Sequence, residues 1–321
     1  MFKGVDFWPH GTRLPIMELR RICIAISWIA ALVAMALLFT KGLNFGIDFK
    51  GGSLFEIRQT EGTLDVGKVR ETLNGLGLGE VQIQGLDEAG EFLVRVETQR
   101  PAEGQSAEAA QQAVEGKVRG ALGQGYEFRR TEIVGPAVSG ELKEAGIIAV
   151  ASAIIGILLY IWFRFEWQFG VAAILALVHD IFITLGVFAF LRLDFGLSEV
   201  AALLTLAGYS INDTVVVFDR IRENLRRYKK MPLIELMNLS INETLSRTVL
   251  TATTTFLAVL ALFVFGTEVI KGFSFAMLFG IAIGTFSSIF VAAPLLLLFG
   301  IKRDWSGTTD TKPKQGAASR A

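Results

Sequence analysis

The chain has 321 residues, and its 31 basic side chains are balanced by 31 acidic ones, so its formal net charge is zero. Hydrophobic residues make up 52% of the sequence and charged residues only 19%. This composition argues against an ordinary soluble protein and favours an integral membrane protein.

Six apolar stretches are long enough to cross a membrane, because a hydrocarbon core of about 30 Å requires about 20 apolar residues in a helix. The predicted spans are 19–39, 146–163, 169–191, 198–218, 249–265 and 273–298. We therefore expect an α-helical polytopic membrane protein whose five later spans form a transmembrane bundle over 146–299.

The first apolar stretch follows Arg20 and Arg21, as the apolar region of a signal peptide would. Its run of roughly 18 apolar residues is longer than a signal peptide needs, and no small-x-small cleavage site follows it. We interpret it as an uncleaved anchor preceded by a cytoplasmic segment at 1–18. Cys23, the only cysteine, lies inside this anchor, so no disulfide can form within the chain.

Charge is distributed unevenly along the chain. Residues 41–144 carry more acidic than basic side chains, whereas residues 219–247, which include RIRENLRRYKK, carry more basic ones. Positive loops stay in the cytoplasm, so both termini and the basic loop 219–247 are expected there and residues 41–144 in the periplasm. This topology accounts for the basic run without a nucleic-acid partner. Residues 304–321 show no pattern and are expected to form a disordered cytoplasmic tail.

Residues 41–144, between the first two spans, change to the patterns of a soluble domain. Strands are predicted at 53–59, 80–85, 91–97 and 126–134, and helices at 65–76 and 106–122. The order βαββαβ predicts an α+β, ferredoxin-like domain. This domain contains no His, no Cys and no paired carboxylates in an apolar pocket, so nothing in it indicates catalysis, a cofactor or a metal.

Two glycine-rich segments flank this domain, FGIDFKGGS before it and VGPAVSGEL after it. They contain Gly46, Gly51, Gly52 and Gly135. Such clusters most often form tight turns, here where the domain meets the bilayer. A second interpretation is that they are hinges that let the domain tilt against the membrane.

Asp213 lies inside the fourth predicted span, within Ser210-Ile-Asn212-Asp213-Thr214. A charged side chain in hydrocarbon is costly, and such residues usually have a function. Helical spacing places Ser210, Asp213 and Thr214 on one face of the helix, with Asn212 beside the carboxylate in the sequence.

The fifth span begins with a stripe of polar and small residues at helical spacing, formed by Arg247, Thr251, Thr254 and Ala258. Two antiparallel helices would bring Arg247 to the depth of Asp213, within reach of its carboxylate. One interpretation is a structural ion pair or hydrogen bond between helices. The other is that Asp213 binds a proton from one side of the membrane and releases it to the other, with Arg247 as the gate.

His179 and Asp180 form a second ionisable pair in the middle of the third span. We interpret it first as a satisfied structural pair and second as a proton relay, since His titrates near neutral pH. On the last span, Gly280, Gly284 and Ser288 recur at small-xxx-small spacing, which predicts a packing seam between helices.

Five segments occur in a recognisable order along the chain: GIDFKGG, VGPAVSGEL, VHDIFITLG, GYSINDTVVVFDRIREN and LSRTVLTATTTF. Over about residues 40–300 the chain resembles the SecF branch of the bacterial SecD/SecF family of protein-export membrane proteins, part of the resistance-nodulation-division superfamily. The resemblance implies pairing with SecD, association with the SecYEG channel and YajC, and an indirect link to SecA. It implies that the proton-motive force drives late translocation of unfolded preproteins across the inner membrane. Asp213 and Arg247 match the positions that the family implicates in proton transport.

The leading hypothesis is therefore a proton-driven export subunit that is not an enzyme. A rival within the superfamily is a proton-coupled exporter of small molecules or lipids, although an outer domain of roughly 100 residues is small for a deep apolar pocket. A third is a scaffold of the translocon that transports nothing itself. Asp213 argues against pure scaffolding, because Asn would make a polar contact more cheaply.

Overall fold

The computed structural model describes residues 13–60, 65–86, 90–99 and 106–301. Most of the predicted 1–18 segment and the whole predicted tail at 304–321 lie outside these residues. Six described helical segments are long and apolar enough to cross a membrane: α1 Arg20–Thr40, α5 Pro136–Arg164, α6 Trp167–Leu191, α7 Leu197–Arg227, α8 Leu233–Phe265 and Val269–Leu298. The six predicted membrane helices are confirmed.

The last span is not one uniform helix. It comprises α9 Glu268–Ser287, a π-helical turn Ser288–Ala292 and α10 Ala293–Leu298. A π turn widens the helix by one residue and changes which side chains face a neighbour. It therefore alters the direction of the side chains at its first residue, Ser288.

Five of the six described membrane helices are longer than the apolar runs predicted, and α1 has the predicted length. α5 begins ten residues before the predicted span, at Pro136, with Gly135 as its N-cap, because proline is well suited to the first turn of a helix. α7 and α8 extend through most of 219–247 and leave only 228–232 between them. Arg226 and Arg227 in the last turn of α7 complement its dipole, and Pro232 ends the connection at the N-cap of α8.

The region between α1 and α5 contains the predicted βαββαβ unit. Its elements are β2 Gly52–Gln59, α3 Val66–Asn74, β3 Val81–Gly85, β4 Glu91–Val96, α4 Ala107–Leu122 and β5 Tyr126–Val134. The strands pair in the antiparallel order β3-β4-β2-β5, the order of a ferredoxin-like sheet. Glu56 of β2 pairs with Arg130 and Ile57 with Phe128, so β5 has a bulge at Arg129. The predicted fold class is confirmed.

One face of this sheet forms the core of the unit. Phe55, Phe92 and Val94 are fully buried and pack against the apolar sides of α3 and α4, represented by Leu73 and Val118. These residues alternate along β2 and β4, because successive strand side chains point to opposite faces. The core is a filled layer between the sheet and the two helices.

Short elements connect this unit to the membrane helices. β1 Asn44–Phe45 pairs in parallel with β6 Asp194–Phe195, and the short helix α2 Ile47–Lys50 follows β1. Arg95 of β4 forms a bidentate ion pair with Asp194, which also accepts a hydrogen bond of 2.7 Å from Asn44 Nδ2. The sheet is therefore fastened to the end of the bundle at which α6 ends.

The glycines predicted to flank the outer unit lie at this connection. Gly46 is the N-cap of α2 and lies against β6, while Gly51 and Gly52 have φ values of 72° and 126°. Only glycine adopts such values readily, so these two residues form a turn that other residues would strain. Gly135 links β5 directly to α5. The hinge function of these glycines stays a prediction.

The membrane helices differ in how much of their surface is covered. In α9 and its continuation 61% of the apolar stretch is buried, compared with 6% in α5 and 11% in α8. α6, α7 and α9 therefore form the centre of the bundle, and α1, α5 and α8 lie outside it. α8 therefore has one side against the central helices, which includes the buried Thr248, and a larger side that faces outward.

Candidate functional site

The carboxylate of Asp213 lies between three helices. Asp213 is half-buried on α7, where its Oδ1 accepts a hydrogen bond of 2.7 Å from Thr248 Oγ1 of α8. Its Oδ2 accepts one of 2.5 Å from Ser288 Oγ, at the start of the π turn. Both carboxylate oxygens are thus held by hydroxyl groups.

Arg247 does not make the contact predicted for it. Among the described residues no ion pair joins Arg247 to Asp213, and the Arg247 side chain is exposed. Thr248 contacts the carboxylate instead, because neighbouring residues of a helix point in directions about 100° apart. The predicted depth of Arg247 agrees with the position of its neighbour, and Arg247 lies close enough for its charge to act on Asp213 without forming an ion pair among the described residues. Its function as a gate stays a prediction.

The whole polar stripe of α8 faces outward. Arg247, Thr251, Thr254 and Ala258 are all exposed, and Thr254 Oγ1 donates only to carbonyl groups of its own helix, Leu250 and Thr251. Asn212 of α7 is exposed as well. A stripe of this kind, within a helix otherwise covered with leucine and valine, marks a surface that lipid alone covers poorly.

Asp180 is the most enclosed carboxylate of the central helices. It has no exposed surface, and its Oδ1 lies 2.9 Å from Nδ1 of His179. Its Oδ2 accepts hydrogen bonds of 2.6 Å from Ser210 and 2.7 Å from Ser287. The predicted contact between His179 and Asp180 is made. Ser210, predicted to share a face with Asp213, donates its hydrogen bond to Asp180.

The two ring nitrogens of His179 differ in their surroundings: Nδ1 lies beside Asp180, and Nε2 lies on the other side of the ring. Its Nε2 is buried and has no hydrogen-bond partner among the described residues. The ring lines an apolar cavity between α1, α6 and α9, of about 530 Å³. The polar side chain thus connects the Asp180 network to an apolar space that faces the first membrane helix.

The predicted small-residue seam on the last span is confirmed. A Cβ at Gly280 would overlap the side chain of Leu206, and one at Gly284 would lie 3.2 Å from Cβ of Ser210. Both neighbours belong to α7, so the two glycines let α9 approach α7 closely. This approach brings Ser287 and Ser288 within hydrogen-bond distance of the two carboxylates.

Three hydroxyl residues of the site were missed by sequence reasoning: Thr248, Ser287 and Ser288, the last of which was assigned only to packing. The signal available was a pair of adjacent serines inside an apolar helix. A hydroxyl donates to an ionised carboxylate and accepts from a protonated one, so these groups satisfy a carboxyl in both states. The arrangement is therefore suited to carboxyl groups that bind and release a proton.

Two parts of the chain match known protein families. Residues 114–302 match the family described as "Protein export membrane protein SecD/SecF, C-terminal". Residues 36–58 match the "SecD/SecF GG Motif", which includes the glycine turn at the start of β2. The first match covers most of the spans and the site, and the second covers the junction between α1 and the sheet.

Named relatives and solved structures agree with these matches. Protein translocase subunit SecF of Cereibacter sphaeroides is 44% identical over 92% of each chain, and that of Rickettsia bellii 42% identical over 92% of this chain and 96% of the relative. Protein translocase subunit SecDF of Brucella abortus is 43% identical, but this chain spans only 38% of it. The crystal structure of SecDF from Thermus thermophilus, a translocon-associated membrane protein, has a TM-score of 0.79 at 37% identity, and this chain spans 39% of it. The chain therefore belongs to the SecD/SecF family of protein export membrane proteins.

Proposed function

We propose that the chain is the SecF subunit of the Sec preprotein translocase and pairs with SecD to couple the proton-motive force to late steps of preprotein export. The SecF relatives match it over nearly their full length, and the SecDF relatives contain a chain like it joined to further sequence. The chain supplies one half of such a pair. Its partners would include SecYEG, YajC, indirectly SecA, and the unfolded preprotein.

The observation that carries this proposal is how Asp213 is held. Thr248 and Ser288 supply hydroxyl donors at 2.7 and 2.5 Å, and no cationic side chain forms an ion pair with it among the described residues. A carboxylate held permanently by an arginine would stay ionised, whereas one held by hydroxyl groups can accept a proton without losing its hydrogen bonds. Asp213 therefore serves as the proton-binding group.

The outward stripe of α8 supports the pairing with SecD. Arg247, Thr251 and Thr254 are exposed within a membrane span, where an uncovered charge is costly. A partner helix against this stripe would bury Arg247 and complete the environment of Asp213. Arg247 would then act as the gate, by approaching Asp213 in one arrangement of the pair and leaving it in another.

The orientation follows from charge. The end of the bundle at which α7 and α8 meet carries Arg226 and Arg227, and the end that bears the sheet is the opposite one. Basic segments are retained in the cytoplasm, so the sheet would lie in the periplasm and the chain in the inner membrane. Its work would be mechanical, without covalent chemistry.

Replacement of Asp213 by Asn tests the proposal, because Asn keeps the shape of the side chain and removes its titration. The variant is expressed in cells that depend on this chain, its co-purification with SecD is confirmed, and export of a slow preprotein is followed with the proton gradient intact and collapsed. We expect export to fall to the level of the deletion and to lose its response to the gradient. Glu235→Gln, which removes an exposed acid in the first turn of α8, is the matched control and should export normally.

Two other results for Asp213→Asn have to be distinguished. If Asp213→Asn assembles with SecD and its export still responds to the gradient, Asp213 is a structural residue and the proton site lies elsewhere. If assembly itself fails, Asp213→Glu separates the two roles, since it keeps the titrating group. Rescue of export by Glu but not by Asn supports the proton role.

A further inference from the structure

A polar cleft lies at the end of the bundle where α5 stops and α7 continues. Its volume is about 480 Å³, and its lining consists of Arg164, Asp219, Arg222, Glu223, Arg226 and Arg227. Arg164 is the last residue of α5, and the other five come from the final turns of α7. The cleft therefore has one wall at the end of an outer helix and one along a central helix.

The floor of the cleft is held in place before any ligand binds. Arg164 Nη2 lies 2.6 Å from Asp219 Oδ2, and Arg222 Nη1 donates to the backbone carbonyl of Arg164 at 3.2 Å. Arg222 Nη1 also lies 3.9 Å from the other oxygen of Asp219, and the Arg222 side chain is only 16% exposed. Asp219 thus positions two guanidinium groups beside one another, an arrangement that like charges would otherwise oppose.

The lining has more positive than negative charge. Arg164, Arg222, Arg226 and Arg227 face two carboxylates, those of Asp219 and Glu223. Glu223 also pairs with Arg220, outside the cleft, at 2.6 Å, so part of its charge is already compensated. A ligand with two negative charges would balance the lining.

Exposed aromatic side chains lie close to the cleft in the sequence. Trp162 and Phe163 near the end of α5 are 80% and 86% exposed, and Trp167 at the start of α6 is 63% exposed. Exposed aromatic residues at the ends of membrane helices lie at the level of lipid headgroups. α5 is also the least covered of the membrane helices, so the wall of the cleft at Arg164 adjoins an uncovered apolar surface.

We propose that this cleft binds the headgroup of an anionic phospholipid with two phosphate groups, of the diphosphatidylglycerol type. Guanidinium groups bind phosphate oxygens in a bidentate manner, and basic pockets between membrane helices at the cytoplasmic surface suit such headgroups. The two phosphates match the excess charge of the lining, and the acyl chains would lie along the apolar surface of α5. The proposal is independent of the proton-coupling role of Asp213.

The matched variants for the test are two pairs of substitutions that each remove two positive charges. Arg226→Gln with Arg227→Gln alters the cleft and leaves the bonds among Arg164, Asp219 and Arg222 intact. Lys229→Gln with Lys230→Gln removes the same charge from exposed residues just beyond α7. A difference between the pairs therefore reports on the cleft rather than on general surface charge.

The purified full chain, in nanodiscs of phosphatidylcholine doped with diphosphatidylglycerol, is extracted into mild detergent and its retained lipid measured by native mass spectrometry. We expect the unsubstituted chain to retain diphosphatidylglycerol. Relative to that chain, the apparent affinity should fall about tenfold in the arginine pair and stay unchanged in the lysine pair, since charge-assisted hydrogen bonds to phosphate are lost only in the arginine pair. Excess inorganic phosphate should not displace the lipid.

Three outcomes would overturn the proposal. Equal losses in the two pairs would indicate attraction to the general surface charge. Displacement by inorganic phosphate would indicate a site for a free anion. The third outcome combines two results: the complex with SecD does not bind the lipid, and the arginine pair does not change lipid retention by the isolated chain. Together they would indicate that the cleft is a protein contact.

Discussion

Ser287 and Ser288 are adjacent in the chain, yet they donate hydrogen bonds to two different carboxylates. Ser287 Oγ lies 2.7 Å from Asp180 and Ser288 Oγ lies 2.5 Å from Asp213. Neighbours on a helix point in different directions, so Ser287 reaches α6 and Ser288 reaches α7 from the same turn of the last span. Since the π turn begins at Ser288, a change in helix winding here would alter both contacts together.

The first prediction concerns this pair. Ser288→Ala removes one of the two hydroxyl donors to Asp213, so gradient-dependent export should fall several-fold, while Ser287→Ala, which acts on Asp180, should have a smaller effect. The measurement is export with and without the proton gradient, in cells that contain equal amounts of each variant.

Ser274→Ala is the matched control for this experiment. Ser274 lies on the same helix, is fully buried, and its Oγ has no hydrogen-bond partner among the described residues. Its hydroxyl can be lost without cost to a network, so export should be unchanged. If all three variants exported alike, the hydroxyl contacts would have no part in coupling.

The second prediction concerns the outward stripe of α8. Thr254→Cys, in a Cys23→Ser background that removes the native thiol, should form a crosslink to SecD in membranes, because the partner helix proposed above would cover the stripe. Ile155→Cys on α5, which is 56% exposed within an apolar surface, is the control and should not crosslink. The measurement is the yield of the crosslinked band, with a short thiol-reactive reagent. Equal yields at both positions would contradict the assignment of the stripe to SecD.

The fold was predictable because its signals are local and periodic. Strand β5 begins and ends at the predicted residues, 126 and 134, and the alternation of Phe92 and Val94 in β4 indicates its buried face. The early start of α5 was missed because Gly135 and Pro136 looked like a turn, although proline is favoured in the first turn of a helix.

The site was only half predictable. An acidic residue in an apolar span is conspicuous, so Asp213 and Asp180 were found. The residue of α8 that contacts Asp213 was not found, because helical spacing says which residues share a face but not which face meets the next helix; Thr248, not Arg247, makes the hydrogen bond. Ser287 and Ser288 were missed as ligands of the carboxylates, because a π turn leaves no periodic signal in the sequence.

The third prediction concerns the joint between the sheet and the bundle. Arg95 and Asp194 form a partly exposed ion pair, with side chains 17% and 36% exposed, so Arg95→Gln should weaken the joint by about 1 kcal/mol. Hydrogen exchange at the amides of β1 and β6 should become faster. Arg129→Gln, which breaks a pair with Glu91 inside the sheet unit, is the control and should leave β1 and β6 unchanged. Equal exchange in both variants would show that Arg95 does not fasten the joint.

The last prediction concerns the glycine turn that opens β2. Gly52 has a φ of 126°, and a Cβ at this position would overlap the carbonyl oxygen of Val96 in the paired strand β4. Gly52→Ala therefore has to break the pairing at the end of β2 or shift β4, at a cost of at least about 2 kcal/mol. Hydrogen exchange at the β2 and β4 amides of the full chain should become faster, and export should fall if the turn transmits motion between membrane and sheet. Gly85→Ala, in the same sheet but with nothing within 4 Å of the new Cβ, should change neither measurement. Faster exchange with normal export would keep the structural role of Gly52 and exclude a hinge function, while unchanged exchange would contradict the strain argument itself.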